Sequence, residues 1–145
     1  MRAAESYARW FEQLAHDPRA ALTRGAIDAA WSANHEHPAL MKSLFALSWL
    51  FLHERWHLIT QSSLAFRLPG MLMGGLGLWL THLFGARAYG RPAGIIAALS
   101  LALMPRVFYH AHLDCFDVPV MTMWILVIYC YWRSLDGGLG WAIAT

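Results

Sequence analysis

Charge is scarce in this chain. Only 14% of its 145 residues are charged, against about 25% in an average soluble domain. Basic residues occur singly, with no run and no aromatic interleaving, and the net charge is +2. That balance is too small to argue for nucleic acid, and none is expected as a partner. Cysteine is scarcer still, with two in all. Cys115 falls in a polar hinge and Cys130 deep in the next apolar run. A helix there would hold them about 22 Å apart along its axis. A disulfide needs α-carbons within roughly 7 Å, so no disulfide framework is expected. No secretory leader is expected either, because Arg2, Glu5 and Arg9 precede no apolar core and cleavage site. There is no 20–50-residue repeat, low-complexity tract or linker, which leaves one domain.

What the chain has is apolar surface. Its hydrophobic fraction is 58%, with eight Trp and seven Met; an average soluble domain has roughly 45–50%. A small soluble domain buries proportionally less of its surface than a large one. Lipid is therefore the simpler solvent, and the expected fold class is all-α: part of an integral membrane helical bundle with amphipathic juxtamembrane helices at its N-terminus.

Residues 1–37 read as those amphipathic helices. Tyr7, Trp10, Phe11 and Leu14 recur on one helical face. Asp17-Pro18 stops that helix, since Pro disfavours helical geometry in the residue before it. Thr23 is placed to cap a second short helix carrying Ile27, Ala30 and Trp31. A Trp-rich amphipathic helix suits a membrane interface, and packing on other protein suits it equally. Residues 38–52 are apolar but too few to span, since a crossing takes about 20 residues. They are expected to form a juxtamembrane helix, with a polar loop over 53–63. Spans are expected at about 66–84, 92–109 and 118–132. Gly70 and Gly74 give the first a small-xxx-small face. Pro92 suits the first turn of the second, and Pro105 kinks its far end. "GARAYGR" (85–91) reads as a tight basic turn. The stretch from Leu139 to Thr145 turns apolar again and reads as the start of another membrane helix, as in a partial sequence. Counting basic residues does not decide the orientation.

Two stretches carry chemistry. The hinge 106–117 holds Arg106, His110, His112, Asp114 and Asp117 between apolar runs. Ionisable groups at a membrane boundary are costly unless used or paired. Asp114 and Asp117, three apart, would share one side of a helical turn. They suit a general base, a metal-ligand pair or an ion site; a plain polar loop is the bland alternative. In the second stretch, "NHEHPALMK" (34–42), His35, Glu36 and His37 precede a Pro-initiated helix with Lys42 one turn in. Free amides at such a helix start suit an anion, and Lys42 stands where a phosphate would be held. An ordinary helix start with a snorkelling Lys explains the stretch as well. His-x-His occurs at His35/His37 and His110/His112, and His53/His57 are four apart. These form only a weak metal pattern.

In this order the motifs resemble membrane-embedded GT-C-type glycosyltransferases that use polyprenyl-phosphate sugars. Protein O-mannosyltransferases and the aminoarabinose transferases of lipid A are such enzymes. The likeness covers about residues 34–134. It rests on His37-Pro38, Leu40 and Lys42; Arg67-Leu68-Pro69; Gly90 with Gly94; Met104-Pro105; and Asp117 with Pro119. Ala39, Gly70 and Val120 depart from the usual residues. The resemblance implies sugar transfer from a lipid-phosphate donor to an extracytoplasmic acceptor. Residues 1–52 and 110–117 would lie outside the plasma (inner) membrane and 85–91 in the cytoplasm. Asp117, with Asp114 as second choice, would be the catalytic acid residue of the second outer loop. His37, Lys42 and Arg106 would hold the phosphate, with His35, Glu36 and His112 beside the substrate. The implied partners are the lipid-linked donor and membrane lipids, and a divalent cation is left open as a cofactor. The family's first span and its acidic motif are not found here, so the segment alone is expected to be inactive. A transporter or channel segment with an Asp/His ion path is the alternative.

Overall fold

The computed structural model describes residues 2–33, 37, 39–113, 115–136 and 139–144. Among them every regular element is helical, and the architecture is all-α, part of a helical membrane bundle. The chain divides into two compact units, Met1–Pro69 and Gly70–Thr145.

The first unit is built on aromatic packing. Helix α1 (Arg2–His16) buries Tyr7 and Ala8. A short helix α2 (Pro18–Ala21) follows directly, with the Asp17 side chain accepting from the Ala20 amide at 3.1 Å. Helix α3 (Arg24–Trp31) is capped by Thr23, whose hydroxyl accepts from the Ala26 amide at 3.4 Å. Trp31 stacks on Tyr7 with ring centroids 4.6 Å apart, and the Trp10 indole donates to the Ala21 carbonyl at 3.0 Å. Helix α4 (Ala39–Trp49) packs Ala46 onto this cluster, joined by Leu50. It runs on into a π-helical segment, Leu50–Arg55.

Helix α5 (Ser62–Tyr89) begins in the first unit with a proline inside it, Pro69. Proline has no N–H, so the carbonyl four residues back loses its helical donor. That carbonyl belongs to Ala65, and the Ser48 hydroxyl of α4 donates to it at 2.6 Å. The Trp49 indole donates to the Ser62 hydroxyl at 3.0 Å and its ring stacks on Phe66, 3° from parallel. A motif proline is thus accommodated by a serine one helix away.

In the second unit α5 continues through residues 85–89, so the expected basic turn is a correction. Ala86, Arg87, Ala88 and Tyr89 extend the helix, and the chain reverses only at Gly90, at φ 95°. Alanine and arginine are good helix formers, whereas Gly90 takes a positive φ without steric cost. Helix α6 (Arg91–Ala102) then starts with Pro92 in its first turn. It crosses α5 so closely that a methyl added at Gly94 would lie 2.5 Å from the His82 carbonyl oxygen. A close helix approach therefore runs through Gly85 and Gly94. Helix α7 (Pro105–Ala111) is bent 71° from α6. Helix α8 (Asp117–Ser134) returns along α5, and α9 (Leu139–Ile143) follows it. The buried Thr122 hydroxyl of α8 donates to the Met73 carbonyl at 2.9 Å.

By length and composition α5 can cross a membrane, and α6 with α7 can do so as one bent span. At 1.5 Å per residue α5 is about 42 Å long and exceeds a hydrocarbon core of about 30 Å. Helix α8, with 18 residues, is about 27 Å long on the same count. Leu72, Trp79, Ile96, Leu99, Trp124 and Ile128 are exposed. Apolar surface on that scale faces lipid or other protein rather than water.

Replacing Ser48 by Ala should leave the Ala65 carbonyl without a donor and destabilise the first unit by about 1–2 kcal/mol. Ser43→Ala removes only a bond to Ala39 within α4 and serves as the neutral control. Thermal unfolding in detergent distinguishes the two. Equal midpoints would remove this role from Ser48.

Candidate functional site

The sequence brings four polar side chains together at the turn of the second unit's hairpin of α7 and α8. Met104 breaks α6 from α7, and Pro105 opens α7 where a missing N–H costs nothing. Helix α7 ends after Ala111, and α8 runs back from it. Asp117 is the first residue of α8, with Val118 and Pro119 buried behind it. A carboxylate there sits at the positive end of the helix.

Across the turn, the His110 Nδ1–H donates to Asp117 Oδ2 at 2.6 Å. In an unbroken helix, seven residues would separate them by about 10.5 Å along the axis. The reversal of the chain between α7 and α8 makes the contact. The Asp117 side chain is 70% exposed and that of His110 26%. Exposed ion pairs contribute about 0–1 kcal/mol, so this one positions groups more than it holds the fold together. Cys115 lies in the same turn, its thiol donating to the His110 carbonyl at 3.2 Å, with Sγ 3.9 Å from His110 Nδ1. Arg106, His110 and Asp117 line one cavity of about 240 Å³ together with Val107, Val118 and Met121. A guanidinium, an imidazole and a carboxylate thus face the same small space. A larger, mostly apolar cavity of about 840 Å³ lies among α5, α6 and α8, with Phe84, Ala93, Leu101 and Trp132 in its wall.

The other expected site residues fall elsewhere. His112 turns its Nδ1 to the Phe108 carbonyl at 2.7 Å and lays its ring against Phe108, which closes the last turn of α7. Lys42 belongs to the first unit. It is 5% exposed, and its ammonium lies 5.6 Å from the centre of the Tyr7 ring, a cation–π contact rather than an open anion hand. His37 is exposed in that unit. His35, Glu36 and Asp114 lie outside the described residues. The one-sided helical turn expected for the two carboxylates does not extend before Asp117, because residues 115 and 116 are not helical. His53 and His57 do not form a helical pair either. The π segment ends at Arg55, His57 takes φ 51°, and His53 Nδ1 donates to the Ile59 carbonyl at 2.8 Å.

His110 was visible in the sequence as a hinge residue without a role. The signal that could have assigned one is the spacing His-x4-Cys-x-Asp between two helix-starting prolines, Pro105 and Pro119.

An all-α membrane protein with a polar pocket in a turn between apolar helices is the class that fold and site define. Over residues 36–145, more than half of its length, the chain matches the dolichyl-phosphate-mannose-protein mannosyltransferase family. It belongs to that family. No curated protein and no solved structure gives a significant match.

The site depends on Gly74. A methyl there would lie 3.2 Å from Ala111 Cβ and 3.6 Å from Val118 Cγ1, the residues flanking the turn. Gly74→Leu should therefore force α7 and α8 off α5, cost about 1–3 kcal/mol as overpacking does, and disrupt the His110–Asp117 bond. Gly75 has open space, so Gly75→Leu should stay within about 0.5 kcal/mol. Unfolding midpoints check the energies, and the histidine NMR signals of His110 check the bond.

Proposed function

We propose that this segment forms part of an enzyme transferring a sugar from a polyprenyl-phosphate-linked donor to an extracytoplasmic acceptor. The observation that carries the reading is Asp117. It stands in the Asp-x-Pro position of a member of the mannosyltransferase family, hydrogen-bonded to His110 and sharing a cavity with Arg106. In such a transfer the acceptor hydroxyl attacks the anomeric carbon and the phosphate leaves. The protein must receive a proton and meet negative charge. Asp117 orients the acceptor, His110 fixes the carboxylate, and Arg106 meets the phosphate. The apolar cavity among α5, α6 and α8 suits an isoprenoid tail. Lys42 contributes to phosphate binding only if its ammonium leaves the Tyr7 face; His37, beside it in sequence, is the more accessible of the two. The ion-path alternative gains no specific observation, because Asp117 and His110 pair locally.

Asp117→Asn keeps size and shape and removes charge. In an active transferase carrying this segment it should lower transfer by about 10²-fold or more, the scale of a positioned acid or base. Transfer of labelled mannose from a polyprenyl-phosphate donor measures it. Normal transfer by a folded Asp117→Asn protein would refute the assignment. Normal transfer there with a dead Asp114→Asn protein would shift the role to Asp114.

The reading also sets topology: the Gly90 turn faces the cytoplasm and residues 112–116 face out. A reporter fused after Tyr89 should be active only in the cytoplasm. Activity only outside would invert the arrangement.

A further inference from the structure

We propose that His110, Cys115 and Asp117 form a binding site for a thiophilic divalent metal ion of the zinc class. The inference uses the same turn as the transfer reading but does not rest on transfer. One ligand atom from each residue lies within 4.8 Å of the others. They come from three different local settings: the last turn of α7, the irregular turn, and the first residue of α8. Such convergence is not a by-product of a single helical face.

The donor set selects the ion. Magnesium and calcium are bound by oxygen ligands, six or more for calcium and near-octahedral for magnesium. An imidazole nitrogen, a thiolate and one carboxylate suit zinc. Three protein ligands with a fourth position open is the pattern of an accessible zinc site rather than a closed structural one. The spacing fits with small movements. Zinc bond lengths and tetrahedral angles put sulfur and nitrogen about 3.5 Å apart and nitrogen and oxygen about 3.3 Å apart. Cys115 Sγ and His110 Nδ1 are 3.9 Å apart, and His110 Nδ1 and Asp117 Oδ2 are 2.6 Å apart. The second pair must open by under about 1 Å on that geometry, and the mostly exposed Asp117 carboxylate has room to rotate.

The charges balance. Binding frees both ligand atoms of protons: the Cys115 thiol proton goes to solvent, and the neutral His110 changes tautomer, its proton moving from Nδ1 to Nε2. The imidazole is then neutral with its proton on Nε2. Thiolate and carboxylate together neutralise the dication. Arg106 lines the adjoining cavity together with His110 and Asp117.

Cobalt(II) is the probe, added to the purified full chain in detergent. A cobalt–thiolate bond gives a near-ultraviolet charge-transfer band that oxygen and nitrogen ligands do not give. One equivalent should produce the band. Zinc should displace the ion and millimolar magnesium should not. Cys115→Ser should abolish the band and Cys130→Ser should retain it. His110→Asn and Asp117→Asn should each weaken binding by at least the roughly tenfold that even outer-shell losses cost. Only two cysteines exist, so the Cys130→Ser result is decisive even if Cys115→Ser fails to fold. No band, a band that follows Cys130, or displacement by magnesium would overturn the proposal. The readout is spectroscopic, so it stands or falls separately from transfer by Asp117.

Discussion

Close helix approach along one glycine stripe of α5 governs the second unit. Gly74 and Gly85 are eleven residues apart, which at about 100° per residue leaves them only about 20° apart around the axis and about 16 Å apart along it. Gly85 receives the backbone of Gly94 in α6, and Gly74 receives Ala111 and Val118. Gly77, one turn beyond Gly74, meets Thr122, whose hydroxyl is bonded to the Met73 carbonyl. In lipid there is no hydrophobic force to press apolar helices together, so close packing and buried hydrogen bonds must do so. The same stripe that brings α8 onto α5 fixes both flanks of the turn between α7 and α8. The chemistry of that turn is thus set by residues that carry none.

The sequence carried the local parts of this design. The stop at Asp17-Pro18 and the cap at Thr23 need only neighbouring backbone, and α1 ends at His16 while Thr23 accepts from Ala26. Apolar composition sufficed for an all-helical membrane bundle. The ordered motifs sufficed for the family, which matches from residue 36 onward. What depends on tertiary contact was not legible. Gly70 and Gly74 had the recognised spacing, yet Gly85 on Gly94, from two different helices, is a closer approach than that at Gly74. "GARAYGR" contains two turn-forming glycines, and composition alone does not say that Gly85 is helical and Gly90 reverses the chain.

The candidate site divides the same way. Asp117 was marked by its place before Pro119 at the start of an apolar run. Its bond to His110 was not, because the sequence does not state the direction in which a chain leaves a broken helix. Lys42 shows how far a local pattern reaches. A cation one turn into a Pro-initiated helix looks available to an anion. Its fate is decided by Tyr7, thirty-five positions earlier, on a helix whose aromatic face was readable but whose partner was not.

The His110–Asp117 pair separates two requirements that the family motif joins. A carboxylate at a helix start is already favoured by the positive helix terminus, by about 0.3–1 kcal/mol at the surface. That favour comes from the helix and not from the histidine. Nor does an exposed pair add much stability. The physical effect left to His110 is directional: it holds one carboxylate oxygen and leaves the other for a hydroxyl or a cation. Cys115 gives that choice a second meaning. A turn serving only to orient a sugar hydroxyl has no chemical need for a thiol 3.9 Å from the imidazole nitrogen. A cation-binding turn does, since sulfur shifts the preference from abundant magnesium to softer ions. The same fold-back that makes a carboxylate directional therefore also makes the turn selective, and the two properties are separated by the one atom Sγ.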